Sequence, residues 1–301
     1  MTERAASSAA TPATPSASAG PPSAAERQGL RWWREVLFGV AVYAVYSAVR
    51  NRFGSAGGDP GPAFEHARQI IDLERAMRLY IEADVQSWYL DLPAKGLIRA
   101  WNVYYGVAHF VVTFVALVWL FRREPRRYPL WRNTLALTTC LAVIGFAAYS
   151  LMPPRLLDDP GVYGACQVYA PDAAADADPD ALTTPGCDRY GYVDTIARYG
   201  GWISFGDQGM EELSNQYAAM PSMHIGWSTW STLALIPLLR RRWTKALAVA
   251  YPLVTLVCIV VTGNHYWIDG AGGLLCLGAG FALAHAITGR RRGLTTTLGP
   301  A

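Results

Sequence analysis

Charge is what this chain has least of. Asp, Glu, Lys and Arg make up 16% of its 301 residues, where an ordinary soluble domain carries about a quarter. Set beside 52% hydrophobic residues, that shortfall argues against a soluble enzyme. An excess of one sign is missing too: a net charge of +3 gives no footing for nucleic acid as a partner. The five cysteines include no C-x-x-C pair and no cluster with histidine, so no metal site is expected, and no cofactor. No continuous apolar run follows the basic start, so a signal peptide is not expected. Residues 1–28 are rich in Ala, Ser, Pro and Thr, lack any apolar period, and read as a disordered cytoplasmic tail.

What is plentiful is apolar and aromatic. The 11 Trp and 16 Tyr suit a protein with two membrane interfaces. A spanning helix needs ~20 apolar residues, and six stretches approach this: 32–49, 100–121, 131–152, 223–239, 246–263 and 266–288. Arginine clusters orient them. Arg122, Arg123, Arg126 and Arg127 follow the second stretch, Arg240, Arg241, Arg242 and Lys245 the fourth, and Arg290, Arg291 and Arg292 the sixth. The positive-inside rule puts all three clusters in the cytoplasm, and an even number of spans keeps both termini there. The expected fold class is therefore all-α: a polytopic bundle of six transmembrane helices over residues 29–290, with a short cytoplasmic tail at 291–301, in the plasma membrane.

Two longer segments fall on the exported side. Residues 60–92 mix charge with apolar residues at helical spacing (Ile70, Leu73, Met77, Tyr80). They read either as amphipathic helices along the outer interface or as a cap packed on the spans. Residues 153–218 form an exported loop whose acidic stretch, Pro171 to Ala181, lacks the spacing of a calcium loop and is expected to be solvated and flexible. Cys166 and Cys187 both lie in this loop, where a disulfide is permitted, and a bridge between them is expected. Cys140, Cys258 and Cys276 sit in apolar stretches as small hydrophobes.

Three short pieces concentrate the chemistry at one membrane face. They are Met152-Pro153-Pro154-Arg155, Ala219-Met220-Pro221-Ser222-Met223-His224, and Gly263-Asn264-His265-Tyr266-Trp267-Ile268-Asp269. His265 and Asp269 are four apart at a helix start and share a face. A carboxylate there holds the proton of one ring nitrogen and leaves the other free to attack. His224 supplies a second imidazole for proton transfer. Arg155 offers a planar cation matched to phosphate oxygens. Ser222, Asn264 and amides at the start of the fourth stretch are further donors to an anion. Each piece alone has a plainer reading: a capping pair, a helix start, a stop with an interfacial Arg. Together, in this order and on one face, they describe phosphoryl transfer through a phosphohistidine without a metal.

The order of an Arg motif, then PSxH, then HxxxD resembles the type 2 phosphatidic acid phosphatase superfamily over about residues 32–288. That superfamily carries K-x-x-x-x-x-x-R-P, P-S-G-H and S-R-x-x-x-x-x-H-x-x-x-D. The resemblance implies a helical bundle, His265 as nucleophile, Asp269 as its orienting partner, His224 as acid and base, and Arg155 among the phosphate ligands. Departures stand at Ala148 for Lys, Leu156 for Pro, Met223 for Gly, and Cys258-Ile259 for Ser-Arg. The forms PPR, AAMPSMH and GNHYWID are similar to the inositol phosphorylceramide synthase branch, whose members move phosphoinositol between lipids. Two cations fewer suit a phosphodiester, which carries less charge than a monoester.

Remaining polar residues are candidates for a headgroup pocket: Asn102, Tyr105 and His109 at helical spacing on the second stretch, and Asn215 in the loop. For His109 a satisfied structural histidine is an equal reading. His66 is expected to be solvated and His285 interfacial. Gly270, Gly273, Gly278 and Gly280 read as close helix packing. The function expected is a membrane phosphotransferase or phosphatase acting on a lipid phosphate ester at the outer leaflet. The competing readings are a plain hydrolase of phosphatidate or an isoprenoid phosphate, and a transporter or scaffold without chemistry.

Overall fold

The computed structural model describes residues 31–53, 59–93, 96–178, 184–200 and 215–297. The tail expected over 1–28 lies outside them. Helices follow one another along the chain: α1 (Trp32–Phe53), α2 (Pro60–Ala76), α3 (Glu82–Asp91), α4 (Leu97–Arg123), α5 (Tyr128–Ala148), α6 (Cys166–Tyr169), α7 (Pro171–Ala175), α8 (Thr195–Tyr199), α9 (Met223–Leu235), α10 (Arg242–Val261) and α11 (Trp267–Thr297). No strand occurs among the described residues; a single parallel bridge joins Leu151 to Ala218. Helix α11 continues to Thr297, into the stretch expected as a cytoplasmic tail.

Four helices are long and apolar enough to cross a membrane: Leu97–Arg123, Tyr128–Ala148, Arg242–Val261 and, within α11, Trp267–Thr288. The other two expected spans differ from these. Helix α1 has 22 residues but carries charge at both ends, in Arg34, Glu35, Arg50 and Arg52. Helix α9 stops after 13 residues, about 20 Å at 1.5 Å per residue. Pro237 turns the chain into a 3-10 segment, Ile236–Leu238, so an apolar run that reads to residue 239 does not stay α-helical.

Close approach binds the bundle. A Cβ on Gly280 of α11 would lie 2.5 Å from Thr138 Oγ1 on α5, and one on Gly273 would strike the Ser222 carbonyl at the start of α9. Gly278, by contrast, faces open space. At the arginine end, Trp131 and Trp230 pack edge to face, and Trp230 Nε1 donates to the Trp131 carbonyl at 2.9 Å. Glu35 of α1 pairs there with Arg132 of α5 at 2.8 Å. Pro252 lies inside α10, and a proline removes the amide that would bond the carbonyl four residues back. That carbonyl, of Ala248, accepts instead from Thr232 Oγ1 of α9 at 2.6 Å.

At the opposite end, α2 lies as a cap. Its buried face is Ala63, Phe64, Ala67, Ile70 and Ile71, packed with Leu151, Met152, Leu156, Tyr217 and Tyr266. Leu73 and Met77 are exposed, so the buried stripe is rotated from the one read in the sequence. His66 is only half-solvated: its Nδ1 meets the Ser150 carbonyl at 2.7 Å and its ring stacks on Tyr149. Cys166 and Cys187 are bonded. The first half of the acidic stretch forms α7 beside that bridge, with Ala174 buried against it, so this half is ordered helix and not the flexible run expected. Asp158 ties the loop together by accepting from the amides of Tyr190 and Tyr192 and the hydroxyl of Tyr169.

Candidate active site

The three motifs meet where α5 and α10 end and α9 and α11 begin, and backbone bonds stitch them. Arg155 N donates to the Gly263 carbonyl at 2.7 Å, and Ser222 N to the Asp269 carbonyl at 2.8 Å. Tyr266 Oη donates to the Met152 carbonyl at 3.2 Å. Gly263 adopts φ +67°, and a Cβ there would come within 2.7 Å of Gln86 Nε2 and 3.3 Å of Arg155 Cβ. Only glycine makes this turn at no steric cost. The turn then folds Asn264 N and His265 N back onto the Ile259 carbonyl.

His265 is buried at 3% exposure and Asp269 at 0%. Nδ1 of His265 lies 3.2 Å from Asp269 Oδ2, and Nε2 lies 3.3 Å from His224 Nδ1. An ionised carboxylate only accepts, so the proton belongs on Nδ1 and the lone pair on Nε2, toward His224. Asp269 is itself fixed, since Oδ2 also accepts from Tyr266 N at 3.0 Å. The His224 ring stacks on Tyr105 with centroids 4.1 Å apart and meets His109 edge to face at 4.2 Å. Tyr105 and His109 thus sit against the second imidazole, and His109 Nδ1 faces the Tyr105 carbonyl.

Arg155 is nearly buried and engaged on all three nitrogens. Nε donates to Asn264 Oδ1 at 3.0 Å, one terminal nitrogen to Asp194 and the other to Gln216. Burial, the largest influence, works against its charge, but Asp194 beside it, Tyr105 and Asp159 together outweigh that and hold the guanidinium pKa above the usual arginine value. Asp194 also caps α8 through the amides of Ile196 and Ala197. Asn264 is therefore a partner of Arg155, its amide nitrogen bonded to Thr262 Oγ1. Ser222 Oγ is buried with no hydrogen-bond partner among the described residues.

The sites of the two cations missing from the motif pattern are apolar or exposed: Ile259 is packed with Ile225 and Val260, and Ala148 is exposed at the end of α5. Cys258, which stands for the pattern's Ser, donates from Sγ to the Trp101 carbonyl. Two of the headgroup candidates do other work. Asn102 donates to the carbonyls of Thr195 and Gly200 and accepts from Thr195 Oγ1, which seats α8 and hence Asp194. Asn215 Oδ1 accepts from Tyr217 N in a turn. A sequence reading misses Asp194 and Gln216, which lie far along the chain in a loop without a motif. It also misses Glu74, for which a signal exists: Ala67, Ile70, Ile71 and Glu74 follow i, i+3, i+4, i+7, an acid on the buried stripe of α2.

A family model described as the PAP2 superfamily matches residues 68–283, well over half the chain and all of the residues just described except those before residue 68. The chain belongs to the PAP2 superfamily. No curated protein and no solved structure matches it. PAP2 membership points to a lipid phosphatase or phosphotransferase, and the four apolar helices fit a membrane protein.

Proposed function

We propose that this PAP2 protein transfers a phosphodiester-linked headgroup, of the phosphoinositol kind, between lipids through a phosphohistidine on His265. The observation that carries the reading is the His265 ring, bonded at Nδ1 to Asp269 and turned at Nε2 toward His224. Phosphate enters between the two rings. Nε2 attacks phosphorus, the bond from phosphorus to the lipid oxygen breaks, and His224 gives that oxygen its proton. An acceptor alcohol then attacks phosphorus as His224 takes its proton, and the Nε2–P bond breaks. Arg155 and Ser222 hold the equatorial oxygens, with Asn264 setting Arg155. A single arginine already balanced by Asp194 favours a monoanionic diester over a dianionic monoester. The similarity of PPR, AAMPSMH and GNHYWID to the inositolphosphotransferase branch supports the same choice.

In this reading six helices lie in the plasma membrane, α1 and α9 among them, with both termini in the cytoplasm and the site at the outer leaflet. The Glu35–Arg132 pair supports it, because it sets the start of α1 beside the start of α5, at the arginine end. Incubating the purified protein with a lipid extract, with and without added inositol or diacylglycerol, tests the function. A new phospholipid is expected; release of free phosphate alone would replace transfer by hydrolysis. Sidedness is checked with Asn215→Cys in a background without reactive thiols. It is expected to label with an impermeant reagent on intact cells, and labelling only after lysis would invert the topology.

A further inference from the structure

Two buried acids stand outside that mechanism. Glu74 on α2 and Glu82 on α3 are both at 0% exposure, on helices that carry none of the three motifs. Trp267 N donates to Glu82 Oε1 at 3.1 Å, and Ile268 N to Glu74 Oε1 at 3.1 Å. With Tyr266 N on Asp269 Oδ2, the three amides that open α11 are held by three different carboxylates. Free amides and the positive dipole end normally make a helix start an anion site. Here that end is filled by the protein's own acids, so a phosphate is left to the Arg155 and Ser222 side.

The pair is built as a clamp. Glu82 Oε2 accepts from Ile81 N at 3.0 Å. Glu74 Oε2 finds no hydrogen-bond partner among the described residues, and the Glu82 carboxyl neighbours the Glu74 carboxyl. Burial first, and then Glu82, push the Glu74 pKa up to about 9, so Glu74 keeps its proton near neutral pH. The other titratable groups facing them are Asp269, Tyr266, Tyr80 and Tyr192. Burying acids is costly, and apolar residues would fill such a junction more cheaply. What the acids supply is an acceptor at each of two fixed amides, one and two residues beyond Tyr266.

We infer that Glu74 and Glu82 are positioning residues for His265: they clamp the Tyr266–Ile268 turn by its amides and fix the angle at which Nε2 meets phosphorus. This rests on the phosphohistidine reading above. The test uses the purified full chain, with bis-4-nitrophenyl phosphate as probe and vanadate as a mimic of five-coordinate phosphorus. Glu74→Leu and Glu82→Leu are expected to lose ~10- to 100-fold in kcat, the scale of a misplaced reacting group. KM should hold within a few-fold, and the vanadate inhibition constant should rise by the same factor as kcat falls. Glu74→Gln and Glu82→Gln keep the acceptor oxygen and should recover most of kcat.

A smaller folded fraction would lower Vmax and leave vanadate inhibition unchanged; that outcome, or wild-type values in the Leu variants, overturns the proposal. If the Leu variants do not fold, Glu82→Asp carries the test, since it keeps the charge but withdraws the oxygen by one methylene. A ~10-fold shift in kcat and in vanadate inhibition is then expected, and unchanged values overturn the clamp. His265→Ala separates the two claims. Turnover by that variant sinks the phosphohistidine reading, whereas a dead His265→Ala beside indifferent Glu variants sinks the clamp alone.

Discussion

His265 is held through the backbone of the turn that carries it, whereas Arg155 is held at its guanidinium by three other side chains. The side of the proposed nucleophile consists of amides locked to three carboxylates and one carbonyl: Tyr266 N on Asp269, Trp267 N on Glu82, Ile268 N on Glu74, and Ser222 N on the Asp269 carbonyl. The cation side consists of Asp194, Gln216 and Asn264 around one arginine. The turn is gripped by its backbone amides, so its position depends on the three acids and not on the side chains the turn itself carries. A cage of side chains is set residue by residue. The contrast locates two kinds of control in this chain: three acids on three helices set the turn under His265, and three side chains set the direction of Arg155.

The sharpest way to break the nucleophile side is His265→Ala. Turnover is expected to vanish on both lipid and bis-4-nitrophenyl phosphate, with the protein still inserted and folded; retained turnover removes His265 from the attacking role. His224→Ala probes the same side more finely. A nitrophenolate departs with little protonation, so this variant is expected to lose ~10²-fold less on the activated ester than on lipid, the scale of one general acid. The comparison reads the initial burst of nitrophenol, because His224 also activates the acceptor. Equal losses in that burst would merge the two roles.

On the cation side, Asp194→Asn keeps the cap of α8, since Asn is an equally good N-cap, but strips the charge from beside Arg155. The ratio of kcat/KM for 4-nitrophenyl phosphate over bis-4-nitrophenyl phosphate is expected to rise roughly tenfold, the scale of one nearby charge in a partly screened site. An unchanged ratio would remove Asp194 from substrate choice. The smallest effect is on stability. A Glu74 pKa raised from 4.5 to about 9 means that the folded state holds a proton the unfolded chain has released. The stabilisation is full below about 4.5 and is lost as pH rises to about 9. The melting temperature in detergent should fall across that window, and Glu74→Gln should flatten the fall.

The sequence makes the motif contacts legible because each lies within a few residues of a helix end. HxxxD is one helical turn, and the Arg clusters mark the other end of the same helices. The partners of those motifs are a different matter. Glu82 and Trp267 are 185 residues apart, and Glu74 and Ile268 are 194 apart; nothing local at either position announces the other. Asp194 reads locally only as a cap for α8. Helix α9 was misread in length because hydropathy counts Ile236 and Leu238 as span, while Pro237 removes an amide and ends the α-helix. The stripe on α2 differs in phase because Ala63 and Ala67 pack beside Phe64, Ile70 and Ile71, and small residues are invisible to a scan for bulky apolar side chains.

Pro252 bears on how such a chain is made. A carbonyl without its amide is expensive in hydrocarbon, where no water replaces the lost bond. The Ala248 carbonyl is satisfied by Thr232 of α9, and α9 in turn is only 13 residues long. The two helices are therefore coupled at one atom: α10 alone would keep an open carbonyl at its centre, and α9, joined to it by the tight connection at Arg240–Arg241, carries the hydroxyl that closes it. Because α9 precedes α10 in the chain, the donor is made before the carbonyl that needs it.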